Sequence, residues 1–233
     1  MASTRLPGKI LHMLAGITVL ETVLARCARV RGADVVVCAT VDAPSEDPVA
    51  ELAAKAGALI FRGSERDVLA RYRGAAEMVG ADVVLRVTSD CPLIDPVLCD
   101  RVLAMRGSEG ADYACNNMPP SWPHGLDCEA MTFAALAAAD DAALDPSDRE
   151  HVTPWIRRNE AMKRVNLPRV GVNAADLRWT LDYPEDYNFF STLAARFGNL
   201  DEAAPDTEAL IDLMDREPAL RALNDMHGRT GTA

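Results

Sequence analysis

Two aspartates far apart in the chain stand at the same kind of place. Asp90 lies in Thr88-Ser89-Asp90-Cys91-Pro92, directly after the apolar run Ala81 to Val87. Asp182 lies in Trp179-Thr180-Leu181-Asp182-Tyr183-Pro184-Glu185-Asp186, just past a second short run, Arg178 to Leu181, that reads as a strand. A carboxylate at the carboxyl end of a strand is well placed to hold Mg²⁺ against phosphate oxygens, and two on separate strands can converge on one ion. The plainer alternative is a turn or a helix cap, and it stays open for Asp90. Glu185 and Asp186 fit that plainer account, because negative charge suits the first turn of a helix.

A third candidate is Ser3-Thr4-Arg5-Leu6-Pro7-Gly8-Lys9. Small residues let backbone amides approach phosphate oxygens, and hydroxyls add donors. Arg5 can grip a phosphate with two parallel hydrogen bonds, and Lys9 adds a point charge. The spacing is not that of a Walker-A loop, and a loose basic segment has the same composition. Arg86 sits inside an apolar run, where a charge is costly unless paired. It is either a ligand for nucleotide or sugar or half of a buried ion pair. Cys91 beside Asp90 lacks an evident activating base, so it is not read as a nucleophile.

The elements that must carry these residues alternate. Thr18-Val19-Leu20-Glu21 is a capping box before a helix. Asp34 to Thr40 is an apolar run expected of a strand buried on both faces. Pro48 to Ala56 reads as a helix, Leu59 to Phe61 as a strand, and Asp67 to Val79 as a capped helix ended by Gly80. Ala81 to Val87 reads as a strand, and Asp95-Pro96 opens a helix. Asn116 to Asp127 is a Pro- and Gly-containing loop, with a strand possible over Leu126 to Phe133. Ser147 caps a helix through Arg158, Pro184 to Arg196 is a helix, and one more follows Thr207. Gly228 to Ala233 is expected to fray. Repeated β–α–β units predict a Rossmann-like α/β fold, a mostly parallel sheet with helices on both faces. Ligands of such sheets bind beyond the carboxyl ends of the strands.

The 233 residues suffice for one large domain, and 49% hydrophobic residues can build its core. The expected organisation is a nucleotide-handling domain over residues 1–200 and a helical tail over 201–233. A net charge of -11 argues against nucleic acid or an anionic membrane as partner. The six cysteines form no CxxC pair and are read as free thiols of a cytoplasmic protein. No apolar stretch reaches the roughly 20 residues of a membrane span.

Taken together, Ser3-Thr4-Arg5-Leu6-Pro7-Gly8-Lys9, Asp90-Cys91-Pro92 and the Trp179 to Asp186 stretch resemble the spore-coat polysaccharide type of cytidylyltransferase, related to the acylneuraminate and KDO cytidylyltransferases. Gly63 to Leu69 with Arg71 and Tyr72, Asn117 to Glu129, and Arg149 to Pro154 are similar to further segments of that family. The resemblance covers residues 2 to about 197. It implies CTP as substrate, with Ser3, Thr4, Arg5 and Lys9 on the triphosphate and Ala39, Thr40, Gly63 and Ser64 on base and ribose. It implies Mg²⁺ on Asp90 and Asp182, with Arg5, Lys9, Asp90 and Asp182 as the catalytic set. Asn117, His124, Asp127, Glu129, Arg149 and His151 would face an acidic sugar, Arg149 by pairing with its carboxylate. It also implies a homodimer, with residues 116–133 as the arm toward the partner or the sugar. The chain departs at Ala2 and Ser89, where the family usually has Gly. The family also normally begins with a central strand upstream of the Arg-bearing loop, so Met1 is expected to be an internal methionine. Without the resemblance, two other readings stay open. One is a glycosyltransferase, although no D-x-D follows a strand, and the other is a non-catalytic nucleotide-sugar binder.

Overall fold

Regular structure starts with a hairpin, β1 (Met13–Leu14) and β2 (Ile17–Thr18), turned by Ala15 and Gly16 at φ of 49° and 97°. Two positive φ angles in a row match the twist of antiparallel strands. Thr18 then caps α1 (Val19–Cys27). Its hydroxyl accepts from the Glu21 N–H at 3.2 Å, and the Glu21 carboxylate accepts from the Thr18 N–H at 2.8 Å. This is the reciprocal box the sequence predicts. Next come β3 (Val37–Val41), α2 (Asp47–Lys55), β4 (Leu59–Gly63), α3 (Val68–Val79), β5 (Val83–Arg86) and α4 (Pro96–Glu109). Asp67 accepts from the Ala70 N–H at 3.0 Å and Asp95 from the Val97 N–H at 2.8 Å, each capping its helix as expected.

The second half holds β6 (Tyr113–Cys115), β7 (Glu129–Thr132), α5 (Phe133–Ala142), α6 (Pro146–His151), α7 (Pro154–Arg158) and β8 (Arg164–Asn166). It closes with α8 (Pro184–Phe197), α9 (Thr207–Arg216) and α10 (Pro218–Arg221). The structure, a computed structural model, describes residues 4–228. The expected fraying of residues 229–233 lies outside them.

Two expectations are corrected. The helix predicted from Ser147 through Arg158 is two short helices. Val152 turns at φ 73°, and Pro154, which has no N–H, starts the second one. The cap is Asp145, which accepts from the Ser147 N–H at 2.8 Å, rather than Ser147. Arg178 to Leu181 forms no ladder; it makes a single parallel bridge, His124 with Arg178.

The sheet is mixed. β3 pairs β4 in parallel, and β6 pairs β8 in parallel, but β7 runs antiparallel between β5 and β6. Its reversed direction puts Glu129, the first residue of β7, in register with Arg86 and Cys115 at the ends of β5 and β6. Among the described residues, β3 and β5 each pair along one edge only. Alternate side chains go to opposite faces. Tyr113, Cys115 and Met131 pack with Leu69, Leu136, Val152 and Ile156 on one side, while Ala114, Cys128 and Ala130 pack with Val23, Cys99 and Val102 on the other. Helices therefore cover both faces. A third cluster gathers Leu126, Trp179, Leu181, Phe189 and Phe190 with Leu210, Ile211, Met214 and Leu220. Each such side chain, fully buried, contributes about 1.5–3 kcal/mol, so the last helices brace the segment that carries Asp182. No helix among the described residues is long and apolar enough to cross a membrane.

Candidate active site

Gly8 takes a left-handed φ of 65°, and the chain coils through a 3₁₀ turn, Lys9–Leu11. Leu6 packs against the cluster around Trp179, and the His12 carbonyl accepts from the Val19 N–H at 3.0 Å. With the loop held at both sides, Lys9 points inward. Its Nζ donates to Asp90 Oδ2 at 2.6 Å and to Asp182 Oδ1 at 2.7 Å. The two aspartates singled out from sequence therefore meet at one cationic atom. Burial alone would push the Lys9 ammonium toward its neutral form, but the two carboxylates outweigh it and raise its pKa. Burial would likewise raise Asp90, and the Lys9 charge holds it below its ordinary value instead.

The backbone fixes this meeting. The Leu181 N–H donates to the Asp90 carbonyl at 2.8 Å, tying the two loops together. The Asp182 and Tyr183 N–H groups both donate to Asp186 Oδ2 at 2.9 Å. Asp186 is wholly buried and receives a forked pair from Arg178 at 2.8 and 2.9 Å. Asn224 adds donors to Asp186 Oδ1 and to the Arg178 carbonyl. Asp186 was expected only as helix-start charge. It also serves as the strut that shapes the Asp182 turn. Glu185 pairs with His227 at 3.1 Å, and that ring stacks on Tyr183 with centroids 3.7 Å apart.

A second brace comes from the Pro-rich loop. The His124 N–H donates to the Leu177 carbonyl at 2.9 Å, and the Trp179 N–H donates back to His124 at 2.6 Å. Gly125 permits this approach. A Cβ there would lie 2.1 Å from the Trp179 carbonyl oxygen, and its φ is 111°.

The remaining predicted residues fall into three groups. On the nucleotide side, Arg5 lies 3.5 Å from Asp182 and 4.9 Å over the Tyr183 ring, and Thr4 is exposed beside it. Ser3 lies outside the described residues. Ala39 and Thr40 sit in β3, in register with Phe61 and Arg62, and Thr40 is buried. Gly63 ends β4. The Ser64 hydroxyl accepts from the Asp67 N–H at 3.1 Å, and the Ser64 carbonyl accepts from Arg71 at 2.8 Å, so this loop is preshaped. On the acceptor side, Asp127 is half-buried, with His124 Nε2 4.0 Å away, and His151 is exposed at the end of α6. Arg149 meets carboxylates of the chain itself. It forks onto Asp67 at 2.9 and 2.6 Å and touches Asp140 at 2.6 Å, so its expected pairing with a substrate carboxylate would compete with both.

The third group is a buried network. Arg86 donates to Glu129 Oε2 at 2.5 Å, while Tyr113 and Thr153 donate to Oε1 at 2.5 and 2.7 Å. Arg157 stands 3.2 Å from the same Oε1, donates to the Tyr113 hydroxyl at 2.9 Å and bonds Asn117 Oδ1. Burial would raise the Glu129 carboxyl, and the charges of Arg86 and Arg157 hold it below its ordinary value. Arg86 is thus half of a buried ion pair. Arg157 and Tyr113 escaped the sequence reading, and Thr153 entered it only as part of the Arg149 to Pro154 segment; Arg86, Asn117 and Glu129 were the members it singled out. Cys91 is buried, which pushes its thiol well up and fits its reading as no nucleophile.

Asp90 and Asp182 suit a divalent cation, because their oxygens already converge on one positive atom. Among the described residues no three His, Cys, Asp or Glu side chains are placed to hold a metal. Two carboxylates with phosphate and water completing the shell is how Mg²⁺ is usually bound beside nucleotides.

The sequence pattern of the family described as Cytidylyltransferase matches residues 1–194. The spore coat polysaccharide biosynthesis protein SpsF of Bacillus subtilis is 32% identical over 226 residues, covering 94% of this chain and 92% of its own. A solved cytidylyltransferase from Leptospira borgpetersenii superposes with a TM-score of 0.88 at 29% identity, covering all of this chain and 95% of that one. A CMP:2-keto-3-deoxy-manno-octonic acid synthetase solved with CTP shares the fold, with a TM-score of 0.65 at 17% identity over 84% of this chain and 95% of that one. With the two aspartates converging on Lys9, these findings make the chain an enzyme of the nucleotidyltransferase kind, and it belongs to the cytidylyltransferase family.

Proposed function

We propose that the protein transfers CMP from CTP to the hydroxyl of an acidic sugar of the nonulosonic or ulosonic type, releasing pyrophosphate, and so supplies a surface polysaccharide or glycan precursor. The convergence of Asp90 and Asp182 on Lys9 supports this reading most strongly. In this reading the triphosphate lies along Ser3, Thr4, Arg5 and Lys9. Lys9 leaves its aspartates for the phosphates, and Arg5 neutralises their outer oxygens. Ala39, Thr40, Gly63 and Ser64 flank base and ribose. The acceptor oxygen forms a bond to the α-phosphorus, the bond to the β-phosphate oxygen breaks, and the hydroxyl proton leaves to solvent or a nearby base. Asp90 and Asp182 would hold Mg²⁺, which supplies Lewis acidity and a template for in-line displacement. The protein's own part is positioning and charge neutralisation.

The enzyme works in the cytoplasm, in keeping with its free thiols. It pairs with a second copy, as the resemblance to its family implies, and sedimentation at micromolar concentration checks this. The test of the reaction is pyrophosphate release from CTP and Mg²⁺ with a panel of nonulosonic and ulosonic acids. Sugar-dependent release that Asp90→Asn abolishes is expected. CTP binding without release for any sugar would instead make the protein a nucleotide-sugar binder.

A further inference from the structure

The network around Glu129 is unbalanced. Two guanidiniums, Arg86 and Arg157, face a single carboxylate, and neither has another carboxylate partner among the described residues. The other members, Tyr113, Thr153 and Asn117, are neutral. A buried charge left without a partner is costly, so an excess of one positive charge here needs a reason.

Exposure points in one direction. The Glu129 side chain is 4% exposed, whereas Arg86 keeps 19% and Arg157 keeps 14%. The carboxylate is the most deeply buried of the three, and both arginine side chains keep some access to solvent. Arg86 Nε is buried with no hydrogen-bond partner, so its donors are not exhausted. Each guanidinium is also backed by an aromatic ring, Tyr72 at 5.7 Å from Arg86 and Tyr113 at 5.9 Å from Arg157. That packing restrains both forks.

The place is also informative. Arg86 ends β5, and four residues later the same loop delivers Asp90. Tyr72 donates to the Val87 carbonyl at 3.3 Å, fixing the start of that loop. Asn117 leaves the end of β6 on the same sheet edge. The excess positive charge therefore lies at the base of the loop that carries Asp90.

We propose that Arg86 and Arg157, held apart by Glu129, form the subsite that receives the carboxylate of the acceptor. This rests on the reading that the acceptor is an acidic sugar. Glu129 acts as a positioning residue that keeps both forks in place without touching substrate. Arg149 then remains a structural tie between α6, Asp67 and Asp140.

The test compares each acid with its methyl ester, using KDO and N-acetylneuraminate as probes, by pyrophosphate release with saturating CTP and Mg²⁺. Arg157→Gln leaves Arg86 and Glu129 as a matched pair, so it removes the excess charge with the least damage. The wild type is expected to prefer acid over ester by about 100-fold in kcat/KM, as for loss of a charge-assisted fork. In Arg157→Gln the ratio falls toward one, with the loss in KM, and Arg157→Lys recovers part of it. A variant that keeps the wild-type ratio, or loses acid and ester activity equally, overturns the subsite while the acidic acceptor stands. A wild type that releases pyrophosphate only with neutral sugars overturns the acidic acceptor and the subsite together. If Arg157→Gln does not fold, Arg157→Lys decides alone, because an unchanged acid-to-ester ratio in it also overturns the proposal.

Discussion

Two charged clusters share the segment around the end of β5: Arg86, which ends that strand, belongs to one, and Asp90, four residues on, to the other. At the first, Asp90 and Asp182 converge on Lys9 at 2.6 and 2.7 Å, and Arg5 and Arg178 each stand 3.5 Å from Asp182. At the second, Arg86 and Arg157 face one glutamate. The first is entered by the loop that carries Lys9, whose charge sits on a flexible stem. The second is closed at its base by Tyr113 and Thr153 and is built on strands and a helix. In the first, two carboxylates converge on one point, which suits a cation; the second is short of negative charge, which suits an anion. In the function proposed above, the first cluster would serve the chemistry and the second the selection of the acceptor.

The largest effect should come from breaking the first cluster. Asp90→Asn keeps the shape and removes half the metal-binding charge, so turnover should fall by about 10³-fold. Pyrophosphate release measures it, and a fall below tenfold would remove Asp90 from the metal site. Next is the second cluster. Glu129→Gln leaves two buried guanidiniums without a counter-charge and should cost about 3 kcal/mol in urea unfolding. Arg157→Gln, which leaves a matched pair, should cost clearly less. Equal costs would show that the imbalance has no meaning.

A smaller effect distinguishes the lysine from an ion. Lys9→Met leaves Asp90 and Asp182 facing each other, and without metal it should be less stable by about 2 kcal/mol. Millimolar Mg²⁺ should then raise its melting temperature more than it raises that of the wild type, by linkage. No difference between the two would argue against a cation site there.

The smallest effect is in acid. Burial would raise Asp186 and Glu129, but Arg178 and Arg86 hold both carboxyls below their ordinary values of 3.8 and 4.5. A lowered folded pKa means this stabilisation is complete above the unfolded values. It shrinks as pH falls below about 4.5 and is gone once pH passes the folded values. Unfolding followed from pH 6 to pH 3 should therefore show stability falling only in the lower half of the range. In Glu129→Gln the part of the fall that begins near pH 4.5 should be missing.

Much of this was legible in the chain because the cues are local. Thr18 with Glu21, Asp67, Asp95 and Gly80 start and stop helices through bonds within a few residues, so spacing alone reveals them. The apolar runs of β3 and β5 are equally local signals. Where local cues conflict, they mislead. Ser147 and Asp145 both suit a cap, and only the path of the backbone selects Asp145. The Arg178 to Leu181 run looks like a strand, but it is held by His124, Asp90 and Asp186 rather than by a ladder. β6 and β8 have three residues each, too short for their periodicity to show.

By itself, then, the sequence determined the α/β alternation, the helix boundaries with strong caps and the two aspartates as candidates for one ion. Type and near spacing are enough for those. The tertiary structure alone decided that Lys9 stands between the aspartates, that Asp186 shapes the Asp182 turn from within, and that Arg157 joins Arg86 on Glu129. Each of those contacts joins residues whose pairing depends on packing. The antiparallel course of β7 brings Glu129 beside Arg86, which lies 43 residues earlier. A Coulomb attraction acts through space rather than along the chain, so its partners become known only when the fold has set their distances.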